Sequence, residues 1–238
     1  MEAHQNPRFR PGFVIRASAA AAAIGLAAFW TLLLCAAALI APDQNHLDHY
    51  AAADQALEAS GARPDVVFIG DSITHQWPKV GQASWDCRWL DRGIGGERSD
   101  QVRARFAQDA LALRPRAVVI LVGTNDAWVN NPALPLAMTE ANVAAMVTLA
   151  RAAGVRVLIA SVTPFAKQTR PPLGPVPPHA EARIEAQNGW MRDYAARSGA
   201  GFIDYWRAMR PELTIDGVHP TAAGYALMAR EAERALAS

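Results

Sequence analysis

The sequence predicts an α/β fold, a three-layer α/β/α sandwich around a mostly parallel five-stranded sheet, preceded by one N-terminal transmembrane helix. Three observations carry this. Residues 65–69 (DVVFI), 117–122 (AVVILV) and 155–162 (VRVLIASV) are apolar runs without polar alternation, as in strands covered on both faces. Helical stretches separate the strands about every 30–40 residues, and such alternation winds into a parallel sheet with helices on both sides. Residues 17–41 carry no charge.

Taken in order, residues 1–16 are basic, with Arg8, Arg10 and Arg16 ahead of the uncharged run. As a helix, 17–41 would be about 37 Å long, enough to cross a bilayer core of about 30 Å with tilt. Pro42, Asp43 and Asp48 follow it, so the positive end stays cytoplasmic and the remainder lies outside. A buried helix would leave no polar face for water. A cleaved signal would have a shorter apolar core, and here Pro42 follows the small residues at its end. Leu34-Cys35 resembles a lipoprotein site only with a bulky residue before the cysteine. The anchor, signal and lipoprotein readings alike place the rest of the chain, periplasmic or extracellular, outside the cytoplasm.

Residues 42–60 read as a linker with a first helix over 46–60 that Gly61 ends, and 61–238 as the main domain. Gly70 closes the first strand. A less regular strand falls at 88–91. A helix over 99–113 is capped by Ser99 or Asp100. Gly123 closes the strand at 117–122, and Gly154 stops a helix over 136–153. Pro164 closes the next strand and opens a stiff loop over 164–178 with Pro171, Pro172, Pro175, Pro177 and Pro178. A helix over 181–198, a strand over 201–204 and a helix over 221–237 with Thr221 as cap complete the chain.

Composition bounds the function. With 51% hydrophobic residues the chain can bury a sizeable core, which excludes bulk disorder. The 23 basic and 22 acidic residues leave a net charge of +1, without the positive excess a nucleic-acid binder needs. Cys35 and Cys87 form neither a CxxC nor a Cys/His pair, so thiol and zinc chemistry have no support. His46 and His49, three apart on the first helix, lack further ligands and read as a solvated face.

In parallel sheets ligands bind outside the carboxyl ends of the strands. There the sequence sets Gly70-Asp71-Ser72, Gly123-Thr124-Asn125-Asp126 and Asp204. Ser72 opens a helix and could be its cap or, with a base, a nucleophile. His219 in Asp216-Gly217-Val218-His219-Pro220 is a candidate base, with Asp216 near enough to fix its tautomer; a turn with a capping Asp is the other reading. Asn125 suits an oxyanion hole or a turn. Gly93-Ile94-Gly95-Gly96-Glu97 lacks a phosphate-loop register but could bring a bare backbone N–H close to a reacting carbonyl. His75 lies near Ser72 in sequence but follows it on the same helix and should point elsewhere. Trp77, Trp85 and Trp89 read as core or pocket wall, and Trp128, just past Asn125, as pocket lining.

The pieces FIGDSIT (68–74), DRGIGGERSDQV (91–102), LVGTND (121–126) and DGVHP (216–220), in this order, make residues 60–238 resemble the GDSL or SGNH family of serine esterases and acylhydrolases. The second piece is most similar to the branch of the platelet-activating-factor acetylhydrolase catalytic subunit. The resemblance implies a flavodoxin-like fold, no metal and no organic cofactor. It implies Ser72 as nucleophile, His219 as general base and Asp216 as its orienting carboxylate. The oxyanion hole would use the backbone N–H of Ser72, the backbone N–H of Gly96 (with Gly93 and Gly95 as the neighbouring alternatives) and the side-chain amide of Asn125. No G-x-S-x-G elbow is present. The expectation is a membrane-anchored, extracytoplasmic serine carboxylic ester hydrolase for small acyl, especially acetyl, esters of a small-molecule, carbohydrate or lipid alcohol. Its alternatives are an O-acyltransferase acting on a carbohydrate and a catalytically silent module binding acylated carbohydrate or lipid. A flavodoxin-like nucleotide binder would need the missing phosphate-loop register.

Overall fold

The computed structural model describes residues 45–128, 134–167, 169–170, 173 and 175–238, which form one compact unit. The segment expected to span a membrane, 17–41, lies outside the described residues. Among the described residues no helix is long and apolar enough to cross a membrane.

The apolar runs become β1 (Val66–Gly70), β3 (Ala117–Leu121) and β4 (Arg156–Ala160), joined by β2 (Trp89–Gly93) and β5 (Gly201–Ile203). Every residue of β1 and β3 is buried. The strand order is β2-β1-β3-β4-β5, and each neighbouring pair is parallel. The expected sheet is therefore present, wholly rather than mostly parallel. Eight α-helices are present among the described residues: α1 (Ala51–Ser60), α2 (Ser72–Val80), α3 (Ser99–Phe106), α4 (Thr124–Trp128), α5 (Leu136–Ala152), α6 (Ala180–Ser198), α7 (Tyr205–Ala208) and α8 (Ala222–Ala237).

Alternate strand residues face opposite sides of a sheet, and the two cores sort accordingly. Val67, Ile69, Val118, Ile120, Val157 and Ile159 pack with Val102, Phe106, Val143, Met146 and Met191 from α3, α5 and α6. Val66, Phe68, Val119, Leu121 and Leu158 pack with Ile73, Trp77, Tyr225 and Met228 from α2 and α8. These are the three layers. The strand order reverses between β1 and β3, which opens a crevice outside their carboxyl ends.

Some boundaries differ from expectation. The first helix begins at Ala51, and His46 sits before it in a turn with φ 52° rather than on a helix face. From Asn45 onward the stretch expected as linker belongs to the compact unit, because Asp54 is buried and its carboxylate accepts from Arg92 Nε at 3.0 Å. Neither Ser99 nor Asp100 caps α3. Arg98 is its N-cap, and its N–H donates to Gln101 Oε1 at 3.2 Å. The Ser99 hydroxyl is committed elsewhere, to the buried carboxylate of Asp126. The helix expected to continue to residue 113 loosens into a single π-turn over Ala107–Leu111. Asp204, at the end of β5, is structural: it caps α7 through Arg207 N–H and accepts from Arg192 at 2.7 Å. Thr221 caps α8 as expected, accepting from Gly224 N–H at 3.2 Å.

Candidate active site

β1 ends in Gly70, and the chain turns at once into α2. A Cβ on Gly70 would lie 2.2 Å from the carbonyl oxygen of Leu121 in β3, so only glycine lets the two strand ends approach. Asp71 is the N-cap of α2, its Oδ1 accepting from Ile73 N–H at 2.9 Å. Ser72 is then the first helical residue. Its backbone N–H has no intrahelical acceptor and points out of the positive end of the helix.

His219 reaches Ser72 from 147 residues away, its Nε2 lying 2.8 Å from Ser72 Oγ. Two features bring it there. Residues 214–220 form a narrow loop closed by the Thr214–Pro220 bridge and by Ile215 N–H donating to His219 O at 2.7 Å. The helix that follows, α8, is then pinned to α2: Tyr225 stacks on Trp77 at 5.3 Å, and its hydroxyl donates to Ile73 O at 2.8 Å. Within the loop Asp216 Oδ1 accepts from Val218 N–H and His219 N–H, at 3.0 and 2.9 Å. Its Oδ2 faces His219 Nδ1 at 2.6 Å. Burial alone would raise the Asp216 pKa, but the backbone and ring N–H groups of His219 and the Val218 N–H outweigh it and hold the carboxyl below its usual range. An ionised Asp216 fixes the proton on Nδ1 and leaves Nε2 able to accept from the serine.

The glycine turn supplies the opposite wall. Glu97 N–H donates to Ile94 O at 3.4 Å, with Gly95 and Gly96 at the corner and Gly96 at φ 82°. A positive φ at the third position is the mark of a type II turn and selects glycine. Among the described residues the N–H groups of Gly95 and Gly96 have no backbone acceptor, and a Cβ on Gly95 would lie 4.0 Å from Ser72 Cβ. Gly93 is no donor, because its N–H goes to Asp91 Oδ1 at 2.7 Å. Asn125, on α4, donates from Nδ2 to Glu97 O at 2.8 Å and keeps a second amide proton. Asp126 holds that turn in place, accepting from Ser99 N–H at 2.9 Å and Thr139 Oγ1 at 2.8 Å.

All the candidate site residues therefore meet at one crevice: Ser72, His219 and Asp216 in hydrogen-bonded sequence, Gly96 and Asn125 joined through Glu97. His75 turns away, its Nδ1 on Gly93 O at 3.0 Å and its Nε2 on Lys79 Nζ at 2.8 Å. Trp128 follows Asn125 by three positions on the same helix and meets Phe165 edge to face at 5.1 Å. Phe165 precedes Ala166, whose N–H donates to Gly217 O at 2.7 Å, so the ring pair bridges the Asn125 turn and the His219 loop. Asp71 lies beneath Ser72 and is fully buried; desolvation, with Asp126 adding, pushes its pKa up to about 7 against the pull of the Ile73 N–H and of His219. Among the described residues no group of three or more His, Cys, Asp or Glu side chains is disposed to hold a metal ion.

Sequence reasoning missed the support beneath this site. Glu97 and Arg105 are both fully buried, paired through Arg105 Nε and Nη2 on Glu97 Oε2 at 2.8 and 2.6 Å. Their spacing of eight residues gave no signal; a buried charged pair has no pattern of its own.

The family model of the GDSL-like lipase/acylhydrolase family matches residues 68–227. Among solved structures, a GDSL-like lipase of Bacteroides thetaiotaomicron is 32% identical, with 81% of this chain and 98% of that chain covered and a TM-score of 0.72. A protein of Bacteroides fragilis is 31% identical over 82% of this chain and 97% of that one, with a TM-score of 0.73. An acetylxylan esterase of Geobacillus stearothermophilus shares the fold at 20% identity, over 73% of this chain and 94% of that one, with a TM-score of 0.58. No curated protein matches.

Proposed function

The chain belongs to the GDSL-like lipase/acylhydrolase family and is a carboxylic ester hydrolase, and from that premise we propose that it is a serine esterase for small acyl, above all acetyl, esters, held outside the cytoplasm by residues 17–41. The observation that carries the mechanism is the unbroken series Ser72 Oγ to His219 Nε2 at 2.8 Å and His219 Nδ1 to Asp216 at 2.6 Å. His219 takes the serine proton as Oγ attacks the ester carbonyl. The developing oxyanion is bound by the N–H groups of Ser72 and Gly96 and by the Asn125 amide, and each such donor is worth about 10²–10³ in rate. The imidazolium returns its proton to the leaving alkoxide. Water, activated by the same imidazole, then releases the acyl group as an acid.

The preference for a short acyl chain is supported by the likeness of residues 91–102 to the platelet-activating-factor acetylhydrolase branch. The Trp128–Phe165 pair links the Asn125 turn to the His219 loop. An aromatic wall also suits a sugar ring as the alcohol, and the Geobacillus neighbour of like fold is an acetylxylan esterase. The location is supported by the uncharged run itself, with arginines before it and acidic residues after it.

Purified Ser72→Ala assayed on p-nitrophenyl acetate tests the mechanism. Turnover should fall by about 10⁴-fold or more, and the variant should resist fluorophosphonate labelling while melting like wild type. Hydrolysis at the wild-type rate would remove Ser72 from the mechanism.

A further inference from the structure

We propose that Arg105 is a positioning residue that locks the carriers of all three oxyanion donors into one unit; this rests on the reading of Ser72, Gly96 and Asn125 given above. Arg105 lies on α3 and none of it reaches solvent. Its guanidinium donates to Glu97 Oε2 at 2.8 and 2.6 Å, to Asp109 Oδ2 at 3.1 Å and to the Gly70 carbonyl at 3.1 Å. Gly70 stands two residues before Ser72, and its carbonyl also accepts Ile94 N–H, at 3.0 Å, from the glycine turn. Glu97 follows Gly96 directly, closes the turn through its N–H, and through its carbonyl takes the amide of Asn125 at 2.8 Å. One side chain thus holds the end of the nucleophile's strand and the residue on which both other donors depend. The preceding segment secures the outer side: His46 Nδ1 meets Glu97 Oε1 at 2.9 Å, and the Tyr50 hydroxyl donates to Gly93 O at 2.6 Å.

Stability alone does not account for this arrangement. A fully buried guanidinium carries a large desolvation penalty, and well-packed apolar side chains often hold a fold as well or better. What a planar donor with fixed geometry adds is a set position for several acceptors at once. An oxyanion hole needs that, since a misplacement of about 1 Å can cost about 10²-fold in rate.

The test compares Glu97→Gln and Arg105→Lys with wild type on p-nitrophenyl acetate, with rates expressed per active site counted by complete fluorophosphonate labelling. Glu97→Gln keeps the shape and leaves Asp109 beside Arg105, so it reports even if Arg105→Lys fails to fold. Expected are kcat losses of about 10-fold for Glu97→Gln and about 10²-fold for Arg105→Lys, with KM within about twofold and the acidic limb of the pH profile unmoved. An unmoved limb separates oxyanion positioning from any effect on His219. Two results would overturn the proposal: wild-type kcat per labelled site, so that any lower total rate reflects only fewer labelled sites, or a displaced acidic limb. Ser72→Ala run beside them keeps the two readings apart. If it still hydrolyses the ester, the serine mechanism fails; if it is inactive while the Glu97 and Arg105 variants turn over normally, only the positioning role fails.

Discussion

Two aspartates a few residues from the reacting atoms sit in opposite electrostatic environments. Asp216 is fed three hydrogen bonds and stays ionised, as a partner for an imidazolium must. Asp71 is fully buried beneath the nucleophile, where the Ile73 N–H on its Oδ1 and the Thr124 hydroxyl do not offset the loss of solvent. Its carboxyl is raised to about 7. Between the unfolded carboxylate pKa of about 4 and the folded value the native state holds a proton that the unfolded chain has lost. Stability from this group is therefore full below about pH 4, is lost as pH rises towards 7, and is level above that; the whole change is on the order of 4 kcal/mol. Asp71→Asn keeps a competent cap but cannot ionise. Urea denaturation of both proteins between about pH 5 and pH 8 should show the wild type losing ground to Asp71→Asn as pH rises, then running parallel to it. Curves parallel throughout would refute a buried neutral Asp71. At this scale the sequence was informative where chemistry is compact. Ser72, Asn125, Asp216 and His219 lie in short contiguous motifs, so their roles could be read before their meeting was seen. Glu97, Arg105 and Tyr50 could not, because each acts through a partner fixed only by tertiary packing.

Among the elements, the turn between β2 and α3 uses its glycines for different ends. A Cβ on Gly93 would lie 2.2 Å from His75 N and 2.8 Å from Asp71 O, both backbone atoms of the first turn of α2. No rotamer relieves such a contact, so Gly93→Ala must push α2 away from β2. A Cβ on Gly95 meets only Ser72 Cβ, at an ordinary 4.0 Å. Gly93→Ala should therefore cost about 3 kcal/mol in urea denaturation, whereas Gly95→Ala should change stability by less than about 0.5 kcal/mol and act on turnover of bulky esters. Equal urea midpoints for the two variants would contradict this division. β1, β3 and β4 were legible because burial on both faces leaves unbroken apolar runs, and all five strands fall within two residues of where the pattern puts them. Helix ends were less so. The Ser99 hydroxyl that looks like a cap is spent on Asp126, a contact made 27 residues away, and α4 and α7 are too short to show a period of 3.6.

For the whole molecule, the dependence of the glycine turn on the segment before it bears on how the chain can be divided. Tyr50 and Asp54 belong to the compact unit: the Tyr50 hydroxyl holds Gly93 O, its ring lies 4.5 Å beneath the Arg92 guanidinium, and Asp54 pairs with that same arginine. An anchor at 17–41 would then join the catalytic unit within a few residues, since His46 already touches Glu97. Residues 42–238 should consequently fold and hydrolyse p-nitrophenyl acetate with a kcat within about twofold of the full chain, because the hydrogen bonds that build and support the proposed site among the described residues are made from His46 onward. Residues 61–238, the division that the sequence pattern favours, should lose most activity and melt earlier, for want of Tyr50 and Asp54. Fractionation supplies the other half of the test. The full chain should sediment with membranes at high salt, where peripheral charge contacts are screened, and residues 42–238 should not. Full activity in residues 61–238 would dismiss the first helix as a support, and a full chain free of membranes with its N-terminus intact would dismiss the anchor.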